Sequence, residues 1–163
     1  VMKDKIIQES IESIKKEGLR FSVDSLANNL KVSKKTIYKY FPNKESLAIA
    51  LYEKIFRDVS EQVNMLNGQN TTTARKELLH LYFDCKWMTR SEIFNKYKLN
   101  QTIYTYTIEK LDLLWTSITK SFNNVKSKKT KETLRIIVDG SFEKLCNDGI
   151  MPDDVIERLV NLL

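Results

Sequence analysis

The chain has 163 residues, with 27 Lys or Arg against 21 Asp or Glu for a net charge of +6, and apolar and charged fractions of 42% and 29%. These proportions suit one compact unit, or a small module fused to a larger one, with a real core. No apolar run approaches the roughly 18 residues that a bilayer crossing needs and no signal peptide is evident, so a cytoplasmic protein with no membrane partner is expected.

The charge is uneven. Residues 1–57 hold 12 basic and 7 acidic residues, whereas 58–163 hold 15 and 14. A basic N-terminal third points to an anionic partner for that third. Only four Gly and two Pro occur, which favours long helices over turn-rich β structure. Cys85 and Cys146 lie far apart without CxxC spacing, and with the single His80 they make no standard zinc site, so reduced, buried thiols are expected. Val1 ahead of Met2 reads as an appended residue.

In chain order, Ile7, Ile11 and Ile14 recur at helical spacing over residues 3–17, and Gly18 offers a C-terminal stop. Ser22 is a good N-cap for a second helix that buries Val23, Leu26, Ala27 and Leu30. After a break at Lys31 and Val32, Ser33 can cap a third helix to about Phe41, where Pro42 ends it. A fourth helix starts near Lys44 and runs to about Asn67, with Leu47, Leu51, Ile55 and Val59 on one face. The polar tract at 67–73 is the best internal break. Helices are then expected near 73–89, 91–98, 101–123, 129–147 and 153–163. The tract QTIYTYTI at 101–108 alternates like a strand, but a lone strand has no partner here, so it is read as helix. Its helix carries Tyr104, Ile108, Leu111, Trp115, Ile118 and Phe122 as an apolar stripe. Gly149 and Ile150 look like a Schellman ending, and Pro152 suits the first turn of the last helix.

The stretch KVSKKTIYKYFPNK at 31–44 holds five lysines and no acid. Wound as a helix with Ile37 inward, residues 33–41 place Phe41, Tyr40 and Ser33 near the buried side. Lys35 and Lys39 face the opposite way, flanked by Thr36 and Tyr38. A short cationic helix following a capped helix after a tight break is the layout of a helix-turn-helix. Lysine ammonium groups suit phosphates or guanine edges, and the Thr and Tyr hydroxyls suit phosphate oxygens.

The stretch FSVDSLANNLKVSKKTIYKYFPNKESLAIALYEKI at 21–55 resembles the N-terminal domain of tetracycline-repressor (TetR) family regulators. The resemblance is carried by Ser22-Val23, Leu26-Ala27, Val32-Ser33, Thr36-Ile37-Tyr38, Tyr40-Phe41, Asn43-Lys44-Glu45 and Leu47, within roughly residues 3–57. It implies that Ser33, Lys34, Lys35, Thr36, Tyr38 and Lys39 lie on a DNA-recognition helix and that Lys44 grips phosphate. Two positions depart from the family pattern. Lys31 and Lys35 stand where family members often have Gly. A lysine at 31 must either adopt a left-handed conformation, at roughly 1 kcal/mol, or belong to a different turn. A long cation at 35 adds a contact of its own to base or phosphate.

The expected fold is all-α. A helix-turn-helix DNA-binding domain occupies residues 1–45, and a helical ligand-sensing and dimerising domain, as the resemblance implies, occupies 46–163. The helix near 73–89 is apolar on more than one side. Tyr82, Phe83, Trp87, Tyr104, Ile108 and Trp115 are the candidates for walls of an aromatic-rich cavity for a hydrophobic or flat cationic molecule, against the plainer reading of a filled core. His80 is a lone imidazole that could anchor a ligand, but such a residue is more often a surface or satisfied helix residue. The basic run at 126–132 reads as a solvated turn. The resemblance implies dimerisation through the last two helices, and a dimer suits the charge pattern, because two recognition helices one DNA turn apart read a palindrome.

The function expected is that of a bacterial DNA-binding transcriptional regulator: a repressor released from a palindromic operator by a small ligand. The alternative is a ligand-independent accessory or nucleoid-organising factor controlled by a protein partner. No phosphate-binding Gly loop, metal-ligand cluster or nucleophile–His pairing stands out, so no enzyme, metal or cofactor is expected. The cationic helix is too short for a membrane-surface role, and its apolar side is needed inside.

Overall fold

The computed structural model describes residues 1–17, 22–90, 101–122, 125, 127–150 and 152–162. The regular structure among them is helical: α1 (Met2–Glu17), α2 (Val23–Leu30), α3 (Lys34–Tyr40), α4 (Lys44–Leu66), α5 (Thr72–Met88), α6 (Gln101–Thr119), α7 (Lys128–Asp148) and α8 (Asp153–Leu162). The helix expected at 91–98 and the Gly18 stop lie outside the described residues. The strand-like tract at 101–108 is helical.

Local chemistry sets the ends of these helices. Ser22, Ser33 and Ser127 are extended N-caps whose hydroxyls accept from the backbone N–H three residues on, each at 3.1 Å. Asn43 caps α4 reciprocally. Its side-chain oxygen accepts from Ser46 N–H at 2.8 Å, while the Ser46 hydroxyl accepts from Asn43 N–H at 3.3 Å. Phe41 leaves α3 in extended conformation, as a residue before proline must. Two helices end in Schellman turns. Ile150 N–H reaches Leu145 C=O at 3.1 Å over Gly149 at φ 64°. At the end of α2, Val32 N–H reaches Ala27 C=O at 3.0 Å, and Lys31 N–H reaches Asn28 C=O at 3.1 Å. Lys31 itself sits at φ 55°, ψ 41°, the left-handed conformation that glycine fills without strain.

The chain divides into two compact units. The first comprises Val1–Asp58 and Met88–Ile108, and the second Val59–Trp87 and Glu109–Leu163. The first unit therefore runs on beyond residue 45, through α4 to Asp58, and takes in a later segment. Its interior is Ile6, Ile7, Ile11 and Ile14 from α1, Leu26 and Ala27 from α2, Ile37 and Phe41, and Leu47, Leu51, Tyr52, Ile55 and Phe56 from α4. Ile6, which the sequence stripe omitted, is fully buried. Buried Ser10 is satisfied by its own helix, donating to Ile6 C=O at 2.7 Å. Asn29 of α2 ties back to Glu9 of α1 at 3.0 Å. The Tyr52 hydroxyl donates to Met88 C=O at 2.7 Å, and the Phe56 and Tyr106 rings meet edge to face, 6.3 Å apart.

The second unit buries Leu78, Leu79, Tyr82, Phe83 and Cys85 of α5, Leu111, Leu114, Trp115 and Ile118 of α6, Val138, Phe142 and Leu145 of α7, and Ile156, Leu159 and Val160 of α8. The stripe expected on α6 needs correction in its first half. Ile103 and Thr107 are the buried positions there, while Tyr104 and Ile108 are 39% and 38% exposed. Thr107 gives the reason. Its hydroxyl is satisfied by Tyr104 C=O at 2.8 Å, so a polar residue sits inside, and the apolar pair one position on turns about 100° away.

Candidate nucleic-acid interface

The short helix α3 is amphipathic by side-chain placement. Ile37 and Phe41 are 1% and 3% exposed, and the ammonium group of Lys3 lies over the Phe41 ring, 5.6 Å from its centroid. Burying Ile37 stabilises the helix by about 1.5–3 kcal/mol, far more than seven residues of helix propensity could supply. With that side anchored, Lys34, Lys35, Tyr38 and Lys39 are exposed, and Thr36 is half-buried. Lys31 in the preceding turn and Lys44 at the start of α4 are exposed as well. The expected orientation of the helix is therefore the one found.

Tyr40 departs from that orientation. It was placed near the buried side, yet it is 37% exposed, close to the 38% of Tyr38. A seven-residue helix anchored by Ile37 and Phe41 presents only a narrow inner face, and Tyr40 falls at its edge. The Ser33 and Thr36 hydroxyls, both candidate DNA contacts, lie 2.9 Å apart and belong to the cap of α3.

The lysines differ in one respect that spacing did not reveal. Lys34 Nζ is paired with Asp24 of α2 at 2.5 Å. The hydrogen bond to Asp24 holds the Lys34 ammonium above its ordinary lysine value. Among the described residues, Lys31, Lys35, Lys39 and Lys44 make no ion pair. Asp24 is the acid of the first turn of α2, where the helix dipole favours it. Its partner lies ten residues along and across a turn, a separation that no helical periodicity marks.

The six residues nominated for a ligand cavity do not gather in one unit. Tyr82, Phe83, Trp87 and Trp115 belong to the second unit, and Tyr104 and Ile108 to the first. Tyr82 and Trp115 pack with ring centroids 5.2 Å apart, and Phe83 meets Phe142 at 5.5 Å. A polar cluster, unseen in the sequence, borders this core. The Tyr82 hydroxyl donates to Asp139 at 2.7 Å and accepts from Arg135 Nε at 3.3 Å. Arg135 also pairs with Asp112, and Lys86 lies 3.4 Å from Asp139. Burial, then the neighbouring Asp139 carboxylate, push the Tyr82 phenol well above the usual tyrosine range. Burial alone would lower the Arg135 guanidinium, but Tyr82 and Asp112 outweigh it and raise it. Elsewhere in this unit an open groove of about 430 Å³ is lined by Gln62, Met65, Leu66, Glu77, His80 and Leu81. His80 lies 3.4 Å from Asp153.

The model of the bacterial regulatory proteins of the tetR family matches residues 6–51, which span α1 to α3 and the first turns of α4. No curated protein and no solved structure matches the chain. The cationic helix, its capped partner and the family match fall on the same residues: residues 6–51 are similar to the DNA-binding domain of bacterial regulatory proteins of the tetR family.

Proposed function

We propose that the protein is a homodimeric repressor, released from a palindromic operator when a small hydrophobic or aromatic molecule binds its second unit. The observation that carries the DNA half is α3 itself, with Ile37 and Phe41 buried and Lys35 and Lys39 exposed. Lys35, Tyr38 and Lys39 would meet base edges and phosphates, and Lys44 would grip the backbone. One such helix spans only a few base pairs, so useful affinity needs a second copy. The exposure of Ile136 and Ile137 on α7, 74% and 46%, beside the open space at Gly140 supports α7 as the face for that copy.

The groove beside His80 supports the effector half. Its volume is near the lower end of the range for small-molecule sites. Three of its lining residues, Gln62, Met65 and Leu66, belong to the last two turns of α4, the helix that begins at Lys44. A molecule that bound the operator-incompetent state about 100-fold more tightly, a difference of about 2.7 kcal/mol, would weaken DNA binding to the same degree. The tight packing of Tyr82, Trp115, Phe83 and Phe142 favours the second reading, a DNA-binding factor without an effector.

Recovery of bound genomic fragments, followed by fluorescence anisotropy against salt, tests the assignment. Lys39→Ala and Lys44→Ala are each expected to lower the slope of log affinity against log salt by about 0.9. Sedimentation of the same samples checks the dimer. Slopes unchanged in both variants would remove the assigned contacts. A recovered site without two-fold symmetry, or a monomer at saturating operator, would remove the palindrome reading.

A further inference from the structure

Asp24 is the sole acid between Ser22 and Lys44, on the face where five lysines gather. It is well exposed, as is Lys34, at 67% and 50% of their side chains, so burial does not force the two together. The contact links the first turn of α2 to the first residue of α3. We propose that Asp24 masks Lys34 and so sets how strongly the protein binds duplex DNA of arbitrary sequence; this rests on the DNA-binding reading above.

The reasoning is electrostatic. Sequence-independent affinity comes from counterions released as lysines neutralise phosphates. A lysine already neutralised by a carboxylate at hydrogen-bond distance releases none, because it must exchange one anion for another. The same carboxylate, if left unpaired, would face the phosphate backbone and repel it. Lys35, Lys39 and Lys44 carry no such partner among the described residues. The face is thus divided: four cations, Lys31 among them, are open to any duplex, and one is reserved for a site able to displace Asp24, for example by giving the carboxylate a cytosine amino group.

The test is anisotropy titration of the full chain with a random-sequence duplex over a range of salt. It uses wild type, Asp24→Asn, Lys34→Met and the double variant. Asp24→Asn is expected to steepen the log–log slope by about 0.9 and to tighten binding about eightfold at 0.1 M salt, the effect of one further neutralised phosphate. Lys34→Met leaves Asp24 unpaired and is expected to weaken binding; in that background Asp24→Asn should relieve the repulsion without steepening the slope beyond that of wild type. An unchanged slope in Asp24→Asn overturns the proposal. So does an equal change with and without Lys34, which would make Asp24 a general repulsive charge. If wild type shows no salt-dependent binding to any duplex, the DNA-binding reading fails and this one with it. Binding by wild type with no response to Asp24 sinks the masking alone.

Discussion

The two units are held together by different chemistry. The interior of the first is largely aliphatic, and two of its buried hydroxyls close onto their own helices, Ser10 onto Ile6 and Thr107 onto Tyr104. Its charges are outside, on α3. The second unit buries rings, and at their edge a part-exposed charged cluster of Lys86, Asp112, Arg135 and Asp139 meets the buried Tyr82 and links α5, α6 and α7. In the first unit the exposed lysines of α3 can be changed without touching the core, whereas the core residues Ile37 and Phe41 hold that helix in place. In the second, polar groups border the core, and they depend on partners supplied by another helix.

The largest effect should come from the core of the first unit. Ile37→Ala is expected to destabilise it by about 2–5 kcal/mol and to abolish duplex binding, since α3 has little to hold it beyond this residue and Phe41. Urea denaturation beside anisotropy would check both. A stable variant that still bound would show that α3 needs no anchor. Next in size, Asp139→Ala is expected to cost about 2–3 kcal/mol, because it strands the Tyr82 hydroxyl and leaves Arg135 and Lys86 with less compensation.

Tyr82→Phe, about 1 kcal/mol at neutral pH, sharpens the contrast through its pH dependence. The native phenol keeps its proton above pH 10.0, where an unfolded tyrosine gives it up. The unfolded state then binds fewer protons, so stability falls as pH rises past that value. The wild type should lose stability between about pH 10 and 11 more steeply than Tyr82→Phe does. Equal slopes would mean that the phenol is not held by Asp139. The smallest change is Lys31→Gly. It relieves a left-handed lysine and should stabilise the first unit by about 1 kcal/mol, read as a higher urea midpoint.

The same contrast explains what could be read from the sequence. α2 and α3 were legible because their determinants are local: serine caps at 22 and 33, an apolar spacing of three and four, and a proline at 42. The left-handed Lys31 was one of two outcomes the turn allowed, and it is the one found. Asp24 stayed hidden because its contact crosses a turn. The second unit was legible only as helices. Its cluster joins Tyr82 to Asp139 and Arg135 to Asp112, separations of 57 and 23 residues, and no local pattern announces a partner so remote. On α6, a hydropathy stripe passed over Thr107 because threonine counts as polar, although a helix carbonyl satisfies it.

The family match stops at residue 51, one position short of Tyr52. The Tyr52 side chain is almost wholly enclosed, and its hydroxyl is held by the main chain of Met88. Phe56, next turn along, leans on Tyr106. The matched module is therefore shorter than the compact unit to which it belongs. A fragment cut at the module's edge would expose a raw apolar flank, and transplanting the DNA-reading part onto another protein would require carrying the 88–108 segment along with it.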